Sequence, residues 1–233
     1  LGAPLVPYTE FLLYRSETEC VALQNIGGIG NISFLPAGCG LNDVLAFDTG
    51  PGNMVIDALT AQLTGGAQSY DDGGRLAAAG RVSPELLGYM LDDGYLRRRP
   101  PKTTGREAYG PDYVARLLRR AEELSVPLGD ALATATRFTA ECIAAAVRDF
   151  APQPPAKLIV GGGGCMNQTL MGHIAALLLG CAVMTNEALG YDSNAKEAVA
   201  FAILANEAVF ARCNNAPSAT GAKHPVVMGR ISL

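Results

Sequence analysis

"FDTGPGNMVIDAL", residues 47–59, puts an acid directly before a Gly-Pro-Gly turn, and the turn directly before an apolar run. Met54, Ile56, Leu59 and Leu63 recur at helical spacing, and Gly65-Gly66 stops the run. The preceding "DVLAFDTG" reads as a strand that ends at Asp48. The stretch is therefore strand, glycine turn, helix. It is either a tight connector, with Asp48 capping the turn amides, or a site at which Asp48 and the turn face a phosphate. Gly50-Pro51-Gly52 turns the chain, and Asn53 is placed to cap the helix.

Upstream, "ECVALQNIGGIGNISFLPAG" holds two short apolar runs around Gly27-Gly28, a hairpin signal that predicts strands near 20–26 and 29–35. Downstream comes a polar, helical stretch. Ser83 and Pro84 suit a helix start. Thr104 and Glu107 fit a capping box that opens a helix through "YVARLLRRAEEL". A further helix covers Asp130 to about Ala151, and "PQPP" ends it. The last third changes character. "AKLIV" reads as a buried strand, then "GGGGCMNQ", a helix through "TLMGHIAALLLG", the strand "AVMTN", and a long Ala-rich helix capped by Asp192 or Ser193. Hairpin, strand, several helices, then β–α–β–α implies an α/β domain with a mixed sheet flanked by helices.

The chain has 233 residues, 49% hydrophobic and 17% charged, with a formal net charge of −4. That balance gives no electrostatic argument for nucleic acid or an anionic membrane. The basic cluster "RRRPPK", Arg97 to Lys102, reads as a solvated loop. No apolar run approaches the ~18 residues of a membrane span. The six cysteines form no CxxC pair and suit a reducing compartment, so a cytoplasmic protein is expected.

Three glycine turns, "NIGGIGN", "DTGPGN" and "GGGGCMN", each follow a predicted strand. In an open α/β sheet such turns gather at one edge, where ligands bind. Glycines let backbone N–H groups converge on an anion, and a following helix N-terminus adds a favourable dipole. No G-x-x-x-x-G-K-[ST] is present, which excludes a P-loop, and the dinucleotide fingerprint fits only loosely. A hairpin, a strand-end acid and a later glycine turn before a helix resemble instead the actin, hexokinase and Hsp70 superfamily of ATP-using folds.

A closer resemblance rests on "GAPLVP", "LQNIGGIGNISFLP", "FDTGPGNMVIDA", "YDDGGRLAAAGRV", "PPKTTGRE", "LIVGGGGCMN", "EAVAFAILA" and "PSATGA", in this order. Together they resemble the C-terminal part of the anhydro-N-acetylmuramic acid kinase family over essentially the whole chain. The resemblance implies one actin-like (ribonuclease H-like) lobe of a two-lobed sugar kinase, residues 1–233, with a helical insertion about 66–130. It implies ATP and Mg²⁺ as cofactors. The implied reaction opens the 1,6-anhydro ring of anhydro-N-acetylmuramic acid with water and phosphorylates O6, giving N-acetylmuramic acid 6-phosphate in peptidoglycan recycling. No nucleic-acid or membrane partner is implied, and a homodimer is compatible with it.

Residue by residue, Asp48 matches the family's catalytic base, a role that suits a carboxylate at a strand end, and it is a candidate Mg²⁺ ligand. Glu197 matches a family acid near the metal, although an acid in the first turn of a helix also favours its dipole. Gly27, Gly28 and Asn31 resemble a phosphate-binding hairpin, joined by Gly50, Gly52 and Asn53. Gly161, Gly162, Gly163, Gly164 and Asn167 resemble the adenosine-binding turn. Lys102 and Arg106 can reach substrate or the other lobe, but the capping box explains Thr104 and Glu107 without a ligand, so "KTTGRE" stays unassigned. The family's "SGTSxDGxD" and "HGQT" motifs are not in these residues. The chain alone is therefore expected to be inactive or nearly so. A relative acting on levoglucosan and a non-catalytic nucleotide-binding or partner-binding module remain the alternatives.

Overall fold

The computed structural model describes residues 6–191 and 195–230. Helix α1 (Val6–Tyr14) precedes the hairpin β1 (Val21–Ile26) and β2 (Ile29–Leu35), then β3 (Leu45–Pro51) and α2 (Met54–Leu63). A helical stretch follows: α3 (Arg75–Ala79), α4 (Pro84–Leu91), α5 (Arg106–Tyr109), α6 (Pro111–Glu123) and the long α7 (Leu128–Phe150). The chain then returns to the sheet with β4 (Lys157–Gly161), α8 (Gln168–Leu177), β5 (Ala182–Thr185), α9 (Lys196–Val209) and α10 (Pro217–Thr220).

The sheet order is β3-β2-β1-β4-β5. The pairs β1–β2 and β2–β3 are antiparallel, while β1–β4 and β4–β5 are parallel. Only β2 opposes the rest, so β1, β3, β4 and β5 all end at one edge. This is the mixed α/β sheet flanked by helices that the sequence implies. Strand periodicity sorts the two faces. Ile32, Phe34, Phe47, Leu158 and Val160 pack under α7 and α8, and Val21, Leu23, Leu35 and Ile159 pack under α1. A second core joins α2, α4 and α6 to the first half of α7 through Leu59, Met90, Leu117 and Phe138. Its C-terminal half packs on the sheet through Ile143 and Val147, so α7 belongs to both cores. Truncating a buried aromatic such as Phe138 to Ala would cost about 3–5 kcal/mol.

Three local expectations change. First, β3 continues past Asp48 to Pro51, because its pairing with β2 slips by one residue between Gly30 and Asn31 and skips Thr49. Second, α6 starts at Pro111 with Gly110 as its N-cap, not at a Thr104–Glu107 capping box. Proline at the first helical position sacrifices no hydrogen bond, and the Thr104 amide is engaged elsewhere. Third, the Asn53 side chain makes no cap; its amide donates to the Ile26 carbonyl at 3.3 Å and ties the turn to the hairpin. Ser83 does cap α4, accepting from Leu86 N at 3.3 Å. The expected caps of α9, Asp192 and Ser193, lie outside the described residues.

Candidate active site

The three glycine turns meet at the common end of β1, β3 and β4. Gly52 and Met54 donate their N–H groups to the Gly28 carbonyl at 2.9 and 3.1 Å, and Asn53 donates to the Gly27 carbonyl at 2.7 Å. These bonds weld the β3 turn to the hairpin. They also correct the reading of Gly52 and Asn53: their amides are spent inside the chain and do not face an anion. Asn167 is likewise occupied, since its side chain caps α8, accepting from Leu170 N at 2.9 Å. Thr169 holds the Gly74 carbonyl at 2.7 Å, so a turn of the chain covers that helix start.

What a side chain would meet sorts the glycines. A Cβ on Gly52 would run into the Gly27 carbonyl oxygen, one on Gly164 into Ile26, and Gly50 has φ +143°. These glycines are required by packing or backbone. Gly27, Gly28 and Gly163 differ: none has a left-handed φ, and a Cβ on each finds only ordinary contacts at 3.5–3.8 Å. Gly28 and Gly163 are exposed and Gly27 is half-buried. The fold does not demand glycine at these three positions, and all three lie at the edge where the turns meet.

Beside this edge a polar row crosses the sheet. Asp48 pairs with Asn31, Asn31 with Asn25, and Asn25 with Gly161 in successive strands. Asn25, Asn31, Ser33 and Asp48 line a cavity of about 500 Å³ between the sheet, α1 and α9, and Glu197 and Phe201 line it from α9. The ion pair of Lys196 with Glu10, at 2.9 Å, holds α9 to α1. Asn25 was not singled out in the sequence. Its signal was symmetry, since Asn25 and Asn31 sit opposite each other across the Gly27-Gly28 turn.

Asp48 is held by three hydrogen bonds. Its Oδ2 accepts from Thr104 N at 2.9 Å, its amide donates to the Lys102 carbonyl at 3.3 Å, and its carbonyl accepts from Tyr95 Oη at 2.7 Å. Burial pushes its carboxyl above the usual range, the Thr104 amide pulls it back, and the Glu107 charge adds to the rise. A carboxylate shifted towards neutrality is a better proton acceptor. Lys102 lines the same cavity, but its ammonium is bonded inward to the Tyr95 and Leu96 carbonyls. It is 7% exposed, with Nζ 4.8 Å from the ring centres of Tyr95 and Phe150 and 5.4 Å from that of Phe47. Glu197 is exposed at the cavity wall.

Sheet, glycine edge and hydrogen-bonded acid define an α/β protein with a carboxylate on a cavity wall beside the edge where three glycine turns meet. The family model described as anhydro-N-acetylmuramic acid kinase matches residues 1–233, and the chain belongs to this family. Proteins of that name are 51% identical in Caldanaerobacter subterraneus subsp. tengcongensis, 46% in Clostridioides difficile and 44% in Francisella tularensis subsp. novicida. These alignments cover 100%, 99% and 100% of this chain but 59%, 60% and 60% of those proteins. The chain therefore spans about three-fifths of the length of the relatives it matches. Among solved structures, the activator of the 2-hydroxyisocaproyl-CoA dehydratase from Clostridium difficile with bound ADPNP is similar at a TM-score of 0.45 and 12% identity, over 85% of this chain and 66% of that one.

Proposed function

We propose that this chain carries the base-bearing part of an ATP-dependent anhydrosugar kinase. That enzyme opens the 1,6-anhydro ring of anhydro-N-acetylmuramic acid with water and phosphorylates O6, giving N-acetylmuramic acid 6-phosphate and ADP in cytoplasmic peptidoglycan recycling. The observation that carries the reading is Asp48, a half-buried carboxylate fixed by the Thr104 amide on the wall of a cavity of about 500 Å³, next to an edge of glycines the fold does not need.

Asp48 takes the proton from the attacking water as the anomeric bond to O6 breaks. Gly27, Gly28 and Gly163 let phosphate oxygens come close to the backbone, Gly161 to Gly164 form the turn beside the nucleoside, and Asn31 and Asn25 offer carboxamides along the row. Asp48 and Glu197, both on the cavity lining, are the carboxylates that would hold a magnesium ion. Among the described residues no cluster of three or more His, Cys, Asp or Glu is assembled for a metal. Magnesium bound there would offset phosphate charge.

The test is Asp48→Asn in the full-length protein, with ADP release followed on anhydro-N-acetylmuramic acid and on levoglucosan. We expect turnover to fall by orders of magnitude while ATP binding is largely kept. Undiminished turnover would remove Asp48 from the mechanism, and faster turnover on levoglucosan would move the substrate assignment.

A further inference from the structure

We propose that the Lys102–Thr104 segment is a positioning device for Asp48, with the caged Lys102 ammonium as its anchor. This rests on the reading of Asp48 as the base. The segment meets Asp48 at two points: the Lys102 carbonyl takes the Asp48 amide at 3.3 Å, and the Thr104 amide donates to Asp48 Oδ2 at 2.9 Å. A third bond, from Tyr95 Oη to the Asp48 carbonyl at 2.7 Å, fixes the residue from the turn after α4. One carboxylate oxygen is thus committed to the scaffold. The other, Oδ1, makes no hydrogen bond among the described residues and is left for the cavity.

Lys102 fastens these partners to one another. Its Nζ donates to the Leu96 carbonyl at 3.1 Å and to the Tyr95 carbonyl at 3.4 Å. The Tyr95 ring that forms one wall of its cage also carries the hydroxyl that holds Asp48. Phe47, directly before Asp48 in β3, forms a second wall, and Phe150 at the end of α7 forms the third. Lys102 makes no ion pair among the described residues. Burying an ammonium without a carboxylate is costly. Two carbonyls and three ring faces offset part of that cost. Methionine would fill the same slot with no desolvation cost, but it would make no directional bond to residues 95–96. Tying residue 102 to residues 95–96, and so both sides of the clamp on Asp48, is what the charged group adds.

The experiment uses Lys102→Met in the full-length protein, read by steady-state kinetics and by amide NMR. The methionine keeps the cage filled and removes the donors. The expected result is a fall in kcat of about 10–100-fold, the scale of a misplaced catalytic group, with KM for ATP and sugar within about twofold of wild type. The Thr104 amide proton should move upfield as its bond to Asp48 lengthens, as it also should in Asp48→Asn. An unchanged Thr104 resonance in Lys102→Met overturns the proposal, and so does a rise in KM with kcat preserved. The amide readout needs no turnover, so it decides the proposal even if Asp48 proves not to be the base. Should Lys102→Met fail to fold, Phe150→Leu removes one cage wall, keeps the ammonium and must move both readouts in the same direction.

Discussion

At the sheet edge some glycines are required by their neighbours and others have room for a side chain. That distinction depends on atoms from another turn. Gly164 must be glycine because Ile26 lies against it, and Gly52 because the Gly27 carbonyl does. Gly28 has no such neighbour, since its nearest atom to an added Cβ is the flexible end of Met54 at 3.5 Å. Two substitutions at the same edge should therefore behave oppositely. Gly28→Ala is expected to leave the melting temperature unchanged or slightly raised, because alanine narrows the unfolded ensemble, while ATP binding weakens by about tenfold or more. Gly164→Ala is expected to destabilise by about 1–3 kcal/mol through overpacking. Thermal melts with and without ATP measure both. Wild-type ATP affinity in Gly28→Ala would show that the hairpin does not carry the phosphates. Asp48 was singled out from its place before a turn, but Thr104 was read as a helix cap and not as its partner, because their bond spans 56 residues and no local pattern records it.

At the scale of elements, the strand–turn–helix order of residues 45–63 and the β4–α8–β5 sequence could be read from periodicity and glycine punctuation. Helix α1 was not anticipated, since "VPYTEFLLY" has no apolar stripe; Pro7, Thr9 and Glu10 are buried beside Phe11 and Tyr14, so tertiary packing decides it. The capping-box reading of Thr104 and Glu107 failed for a related reason: tertiary contact with Asp48 outweighed a local signature. Helix α2 carries a consequence of its own. Burial alone pushes the Asp57 carboxyl up to about 6. A folded-state value above the unfolded one means that Asp57 does not strain the fold below about pH 4. The stability it permits is lost as pH rises through about 6, where the buried group must ionise. Asp57→Asn should accordingly stabilise the protein at pH 7 by about 1 kcal/mol, the full shift being discounted for partial exposure and for the helix dipole that favours an acid there. The gain should vanish by pH 4. Urea unfolding at the two pH values tests this, and an equal effect at both would rule out ionisation as its source.

On the scale of the whole molecule, the sheet order and the gathering of all three turns at one edge follow from a single reversed strand, β2, which the hairpin signal had already implied. The closure of the cavity by α1 and α9 did not follow, because those helices pack on the sheet from opposite ends of the chain. Beside that cavity, large apolar side chains of α9 stay exposed among the described residues. Phe201 is 60% exposed and Val199 42% exposed on α9 beside Glu197, and the 233 residues span 59% of the Caldanaerobacter relative, so about two-fifths of that relative's length lies outside the match. Phosphoryl transfer concentrates charge that must be met by donors fixed on both sides of the reacting group. The 233 residues bring the acid, the hairpin and the glycine turn, all to one wall. We therefore expect the purified 233-residue chain to bind ATP weakly, seen as an ATP-dependent rise in melting temperature that follows mass action, and to release ADP no faster than its Asp48→Asn variant. The full-length protein under the same conditions should lose its ADP release on that substitution. Turnover by the 233-residue chain at the full-length rate would mean that one wall suffices, and it would require the second set of donors to be found among residues 1–233 themselves.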